Sequence, residues 1–158
     1  MTALPSFLRA GALAAALGTV LVITGCGSMP MGRDVSMAMS PSQTFRATLS
    51  SAAEVPANAS AGTGTMEASF DKDSSVLRWK LNYTGLSGPA TMAHFHGPAI
   101  PGANAGVVVP LPSAASPAEG QATLTPAQAA DLMAGKWYIN VHTAQNPGGE
   151  IRGQVLAN

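Results

Sequence analysis

The chain carries three histidines, and their spacing is its most chemically informative feature. His94 and His96 are separated by one residue in a run, 91–96, whose alternation predicts a strand, so their rings project from one face. Met92 falls on that face, with Ala93 and Phe95 on the other. His142 lies in the run 136–143, where Trp137, Ile139 and Val141 form the inward set and Tyr138, Asn140 and His142 face away. If the two strands are neighbours in one sheet, three imidazoles converge on its outer face near the strand ends. Neutral imidazoles suit one copper or zinc ion, and the Met92 thioether would be a soft fourth ligand favouring copper. In the alternative reading the histidines hydrogen-bond loop carbonyls and fix the turns at 97–98 and 146–149. Sequence leaves both open.

Glu150 and Arg152 also share a face of a predicted strand, and Arg152 could pair with Glu54. The expected role of these three is structural, holding the last strand to the first loop. No Gly-x-Ser-x-Gly elbow is present to support a Ser-His-Asp nucleophile. Gly62-Thr-Gly64 lacks the rest of any dinucleotide or phosphate loop and reads as a turn leading into a strand. No catalytic residue is therefore assigned.

The elements that must position these groups are short. Phe45, Ala47 and Leu49 alternate with Arg46 and Thr48, and Met66, Ala68 and Phe70 form a second inward set. Leu77, Trp79, Leu81 and Tyr83 alternate with Arg78, Lys80 and Asn82 in the clearest period-two pattern of the chain. Further runs are expected at 107–111, 121–124 and 150–156. Gly, Pro, Asn and Ser fill the connections. About eight short strands at this spacing predict an all-β domain, a Greek-key-like β-sandwich or flattened barrel. One short helix is expected within it. Thr125 is a good N-cap, Pro126 suits the first helical position and Gln128 can close a capping box. Gly135 supplies a left-handed stop, and Leu132 and Met133 are expected to cover one end of the sheets.

The chain has 158 residues, 10% of them charged, with eight basic against eight acidic side chains. Such sparse, balanced charge gives no footprint for nucleic acid and no polybasic patch for anionic lipid. A single cysteine excludes an internal disulfide framework and a Cys-based zinc knuckle. That cysteine, Cys26, follows a basic Arg9 and an uncharged run at 10–24 that has the length of a signal h-region and is short for a membrane span. Ile23-Thr-Gly-Cys26 resembles the lipobox of bacterial lipoproteins. The resemblance implies a signal peptide at 1–25 and a diacylglycerol on Cys26, which anchors the mature chain to a membrane by its acyl chains. Gly27 after the cysteine is similar to lipoproteins released to the outer membrane. Residues 26–44 read as a flexible tether containing Met29, Met31, Met37 and Met39, half of the eight methionines. Thioethers there could take Cu(I), or methionine is simply tolerated in a linker.

Residues 45–158 form the expected folded domain. Several of its phrases together resemble the CHRD domain, a module first met in chordin and found in bacterial exported proteins. They are Phe45-Arg-Ala-Thr-Leu-Ser50 with Glu54-Val-Pro56, Leu77-Arg-Trp79 with Tyr83-Thr-Gly-Leu86, and Gly62-Thr-Gly64. More specific are Ala93-His-Phe-His-Gly-Pro98 and Tyr138-Ile-Asn-Val-His-Thr143 with Pro147-Gly-Gly-Glu-Ile-Arg-Gly153. The resemblance implies an extracytoplasmic β-rich module and brings no common biochemical activity with it. The His-x-His strand with a distant His is also similar to part of the copper site of Cu/Zn superoxide dismutase. That enzyme uses further ligands and a second metal, for which this chain has no histidine left.

The expected function is an envelope-anchored binding module facing the periplasm or exterior, binding or buffering copper or zinc through His94, His96 and His142. A metal-free adhesion or protein-interaction domain is the alternative. A copper oxidoreductase is the third reading, and it would need an open coordination position.

Overall fold

The computed structural model describes residues 42–158. The expected leader, Cys26 and nearly all of the expected tether lie outside the described residues. Eight strands form one antiparallel sheet: β1 (Ser42–Ser50), β2 (Thr63–Asp71), β3 (Val76–Thr84), β4 (Ala90–His96), β5 (Val107–Pro110), β6 (Ala118–Thr123), β7 (Trp137–Thr143) and β8 (Ile151–Ala157). Their order, β5-β4-β7-β8-β1-β2-β3-β6, curls the sheet into a nearly closed barrel with β5 and β6 as its two edges. Among the described residues the fold is all-β with one short helix, as the alternation implied. β1 begins ahead of Phe45, so the first strand takes in residues read as tether.

Period-two patterning explains the interior. Phe45, Ala47 and Leu49 of β1 meet Met66, Ala68 and Phe70 of β2 and Leu77, Trp79 and Leu81 of β3 in one core. The other half supplies Ala93, Phe95, Trp137, Ile139, Val141, Ile151 and Val155. The two halves touch through Phe95, whose ring sits edge-on to Trp79 at 5.2 Å and tilted against Trp137 at 5.9 Å. Both tryptophans thus belong to one cluster. Edge-to-face packing of this kind contributes about 1 kcal/mol beyond area burial.

The helix α1 (Pro126–Met133) starts in the expected box. The Gln128 backbone N–H donates to Thr125 Oγ1 at 3.3 Å, and the Thr125 N–H donates to Gln128 Oε1 at 2.9 Å. Gly135 ends it at φ +68°. Only Leu132 is buried, while Met133 is 39% exposed. The expectation that both cover the sheets is corrected: Met133 follows Leu132 by about 100° of helical turn, which carries it off the inward stripe.

Most polar residues on the outer face of β4, β7 and β8 are buried, with His94 and Gln154 partly exposed. Every residue of β7 is buried, inward and outward alike. The loops that shield this face include the turn after β1 (a 3-10 turn at Ser51–Ala53) and the β4–β5 connection. Between these loops and the sheet lies a second, polar interior.

Candidate metal centre

This polar interior is built on adjacent strands. β4 pairs β7 with Met92 opposite His142, His94 opposite Asn140 and His96 opposite Tyr138. All three imidazoles therefore stand on one face, as parity required. Gly97 lets the end of β4 close on β7, since a Cβ there would fall 2.6 Å from Trp137 Cδ1. One ligand atom from each of His94, His96 and His142 can be chosen so that the three lie within 4.8 Å of one another.

Two rings are oriented by carbonyls. His96 Nδ1–H donates to the Ala105 carbonyl at 3.0 Å, and His142 Nδ1–H donates to the Pro147 carbonyl at 2.9 Å. A carbonyl only accepts, so each bond places the proton on Nδ1 and leaves Nε2 with its lone pair. His96 Nε2 is buried and has no hydrogen-bond partner among the described residues. His142 Nε2 lies 3.2 Å from His94 Nδ1, and their rings meet edge-on. A backbone acceptor on one ring nitrogen and a free lone pair on the other is the arrangement of metal-ligating histidine. Tetrahedral sites with metal–nitrogen bonds of about 2.0–2.1 Å put ligand atoms about 3.4 Å apart, close to the His94–His142 spacing. Shifts of about 1 Å would bring the trio to that spacing.

The alternative expectation, in which histidines fix turns, is met in part. His142 bonds the Pro147 carbonyl in the 146–149 turn, whereas His96 bonds Ala105 further along the β4–β5 connection and not the 97–98 turn. The two roles use different nitrogens and do not compete.

Burial, with the neighbouring imidazoles His142 and His96, holds the His94 pKa below its ordinary value. Burial lowers that of His142 as well, opposed by its bond to Pro147 and reinforced by His96. In both rings burial thus favours the neutral form, the form in which an imidazole ligates a metal. His94 is the partly exposed member, whereas His96 and His142 are buried. Met92, opposite His142, is 47% exposed.

Tyr138 and Asn140 fill the face between the histidines, and sequence parity placed both there without assigning them a role. The Tyr138 ring stacks on His96, with centroids 4.7 Å apart, and the Arg152 guanidinium carbon lies 3.4 Å from its centroid. With β7 between β4 and β8, the phenol is held between an imidazole and a cation, a contact of about 2 kcal/mol when desolvated. Its hydroxyl accepts from Ala105 N–H at 3.2 Å and donates to the Ala105 carbonyl at 3.3 Å. Asn140 Oδ1 lies 2.9 Å from His142 Nε2.

The three structural candidates are all buried, but their partners differ from the expected ones. Among the described residues Glu54 and Arg152 form no direct ion pair. Arg152 instead forks onto the Asn104 side chain at 3.0 Å and the Ala103 carbonyl at 2.6 Å, and so pins the β4–β5 loop. Glu54 faces Asn140 and Gly149. Burial raises its pKa, against the opposing pull of the Val55 amide, the Arg152 charge and Asn140. Gly149, at φ +132°, is required here because a Cβ would collide with Glu54 Oε1 and fall 2.9 Å from Asn140 Nδ2. Glu150 accepts from Ser60 Oγ at 2.6 Å, from Ser87 N–H and Oγ at 2.6 Å, and from Thr143 Oγ1. It ties three loops together at the rim of the site.

An extended-sheet module with a buried polar face and a histidine trio is the class that fold and site define. The CHRD domain family matches residues 45–155, and the chain belongs to that family. No curated protein and no solved structure matches the chain.

Proposed function

We propose that the domain is an extracytoplasmic binding module that holds one transition-metal ion, copper or zinc, through His94, His96 and His142. Membership of the CHRD family supports the extracellular binding role. The observation that carries the metal reading is the buried, unpartnered Nε2 of His96 beside the His94–His142 pair. A buried polar atom left without a partner costs about 1–3 kcal/mol, and a bound cation would remove that cost. Copper is favoured if Met92, a soft ligand, joins from the exposed side; zinc is served by the imidazoles alone. The lipobox-like Ile23-Thr-Gly-Cys26 supports a lipid anchor on Cys26 and a place in the bacterial cell envelope, the outer membrane in a Gram-negative cell. The function would then be to bind or buffer metal at the envelope surface.

A second reading is a metal-free interaction domain. Among the described residues β5 and β6 end the sheet order, and this favours it, because an unpaired edge can add a strand from a partner. An oxidoreductase would need redox turnover beyond binding.

Metal content and thermal unfolding of the full chain in detergent, loaded with Cu or Zn, separate these readings. The metal reading expects one ion per chain and a stabilisation of about 2.7 kcal/mol at a hundredfold excess over Kd. It also expects loss of both in His94→Ala. Wild type without stoichiometric metal leaves the interaction domain.

A further inference from the structure

We infer that the site has a fourth protein donor, the side-chain carbonyl oxygen of Asn140, which makes it selective for Zn(II) over Cu(I). This rests on the three-histidine reading and adds to it. Asn140 is 3% exposed and projects from β7 between His142 on its own strand and His94 across the strand pair. Its Oδ1 sits 2.9 Å from His142 Nε2. Because the His142 proton is committed to the Pro147 carbonyl on Nδ1, this contact brings two lone-pair atoms face to face. Turning the amide over would cure the conflict in an ordinary pair. Here the amide nitrogen lies on the Gly149 and Glu54 side, within reach of the Glu54 carboxyl as an acceptor, and the oxygen is turned toward the imidazoles. A cation shared by Oδ1 and Nε2 satisfies both atoms at once.

The donor set is then three imidazole nitrogens and one amide oxygen. An oxygen donor suits borderline and hard cations and adds little for a soft monovalent one. Zn(II) accepts nitrogen and oxygen together in a four-coordinate site. Glu54 serves as a positioning residue, fixing the amide without touching the ion.

The test compares Zn(II) and Cu(I) affinities of the full chain in wild type, Asn140→Ala and Asn140→Thr, with unfolding midpoints recorded alongside. The expected result is a 10- to 100-fold loss for Zn(II), with Cu(I) affinity changed by less than about threefold, in whichever variant folds. Equal losses for both ions, or none, overturn the inference while leaving the three-histidine site intact. No metal binding by wild type overturns both. A second reading needs no variant: the Asn140 side-chain carbonyl 13C resonance of the wild type should move downfield on Zn(II) addition, and an unmoved resonance overturns the proposal.

Discussion

The imidazole of His96 lies flat on the phenol of Tyr138, with ring planes within 3° of parallel. One loop residue, Ala105, holds both rings: its carbonyl accepts from His96 Nδ1 and from the Tyr138 hydroxyl, and its N–H donates to that hydroxyl. The strand pair, the loop and the candidate ligand are therefore fixed together. Removing the hydroxyl should loosen the loop before it affects the sheet.

Tyr138→Phe is expected to keep the ring stack and lose the two bonds to Ala105, at a cost of about 1–2 kcal/mol. Denaturant unfolding measures this. Metal affinity should fall a few-fold because His96 loses part of its support, and Tyr138→Leu should lose more on both counts. A Tyr138→Phe protein as stable as wild type would show that the loop does not depend on the phenol.

Glu150 gives the domain an acid limit. Burial pushes its carboxyl up, but hydrogen bonds from Ser60, Ser87 and Thr143 outweigh this and hold its pKa at about 2, against 4.5 for an ordinary glutamate. A folded-state pKa below the unfolded one stabilises the fold above the unfolded value, and that stabilisation is lost as pH falls toward the folded value. Unfolding free energy should therefore decline between about pH 4.5 and pH 2. Glu150→Gln should be less stable at neutral pH by about 1–3 kcal/mol and should decline less across that interval. Parallel pH profiles for the two proteins would contradict this.

Met92 is the only soft side chain the sequence reading placed on the histidine face, and it stands opposite His142 at the exposed side. Met92→Ala is expected to weaken Cu(I) binding about tenfold and leave Zn(II) binding unchanged, as competition titrations would show. Equal affinities in the variant and wild type would remove the thioether from the site.

Much of this arrangement is legible in the sequence, for a physical reason. Side chains on a strand alternate strictly, so Ala93 and Phe95 inside put His94 and His96 outside, and Ile139 and Val141 inside do the same for Asn140 and His142. The capping box at Thr125 and Gln128 is likewise a local property. What alternation cannot convey is which strands are neighbours. The β4–β7 pairing joins segments about 45 residues apart, and the intervening chain forms β5, β6 and α1. Nor does it reveal a second covered face. Tyr138, Asn140 and Arg152 look like solvent-facing residues until loops rich in Gly, Pro and Asn fold over them. For the same reason charge alone points Arg152 toward Glu54, whereas it binds the neutral Asn104 side chain and Ala103 carbonyl of the covering loop. Opposite charges identify an attraction; a guanidinium fork goes to whichever acceptors the backbone brings within reach.

The most direct test of the central claim is anomalous diffraction from crystals of the zinc- or copper-loaded protein, recorded on both sides of the metal's absorption edge. We expect a single strong peak about 2.0–2.1 Å from nitrogens of His94, His96 and His142. A fully loaded protein with no anomalous density between these rings, or with its metal bound elsewhere, would contradict the account.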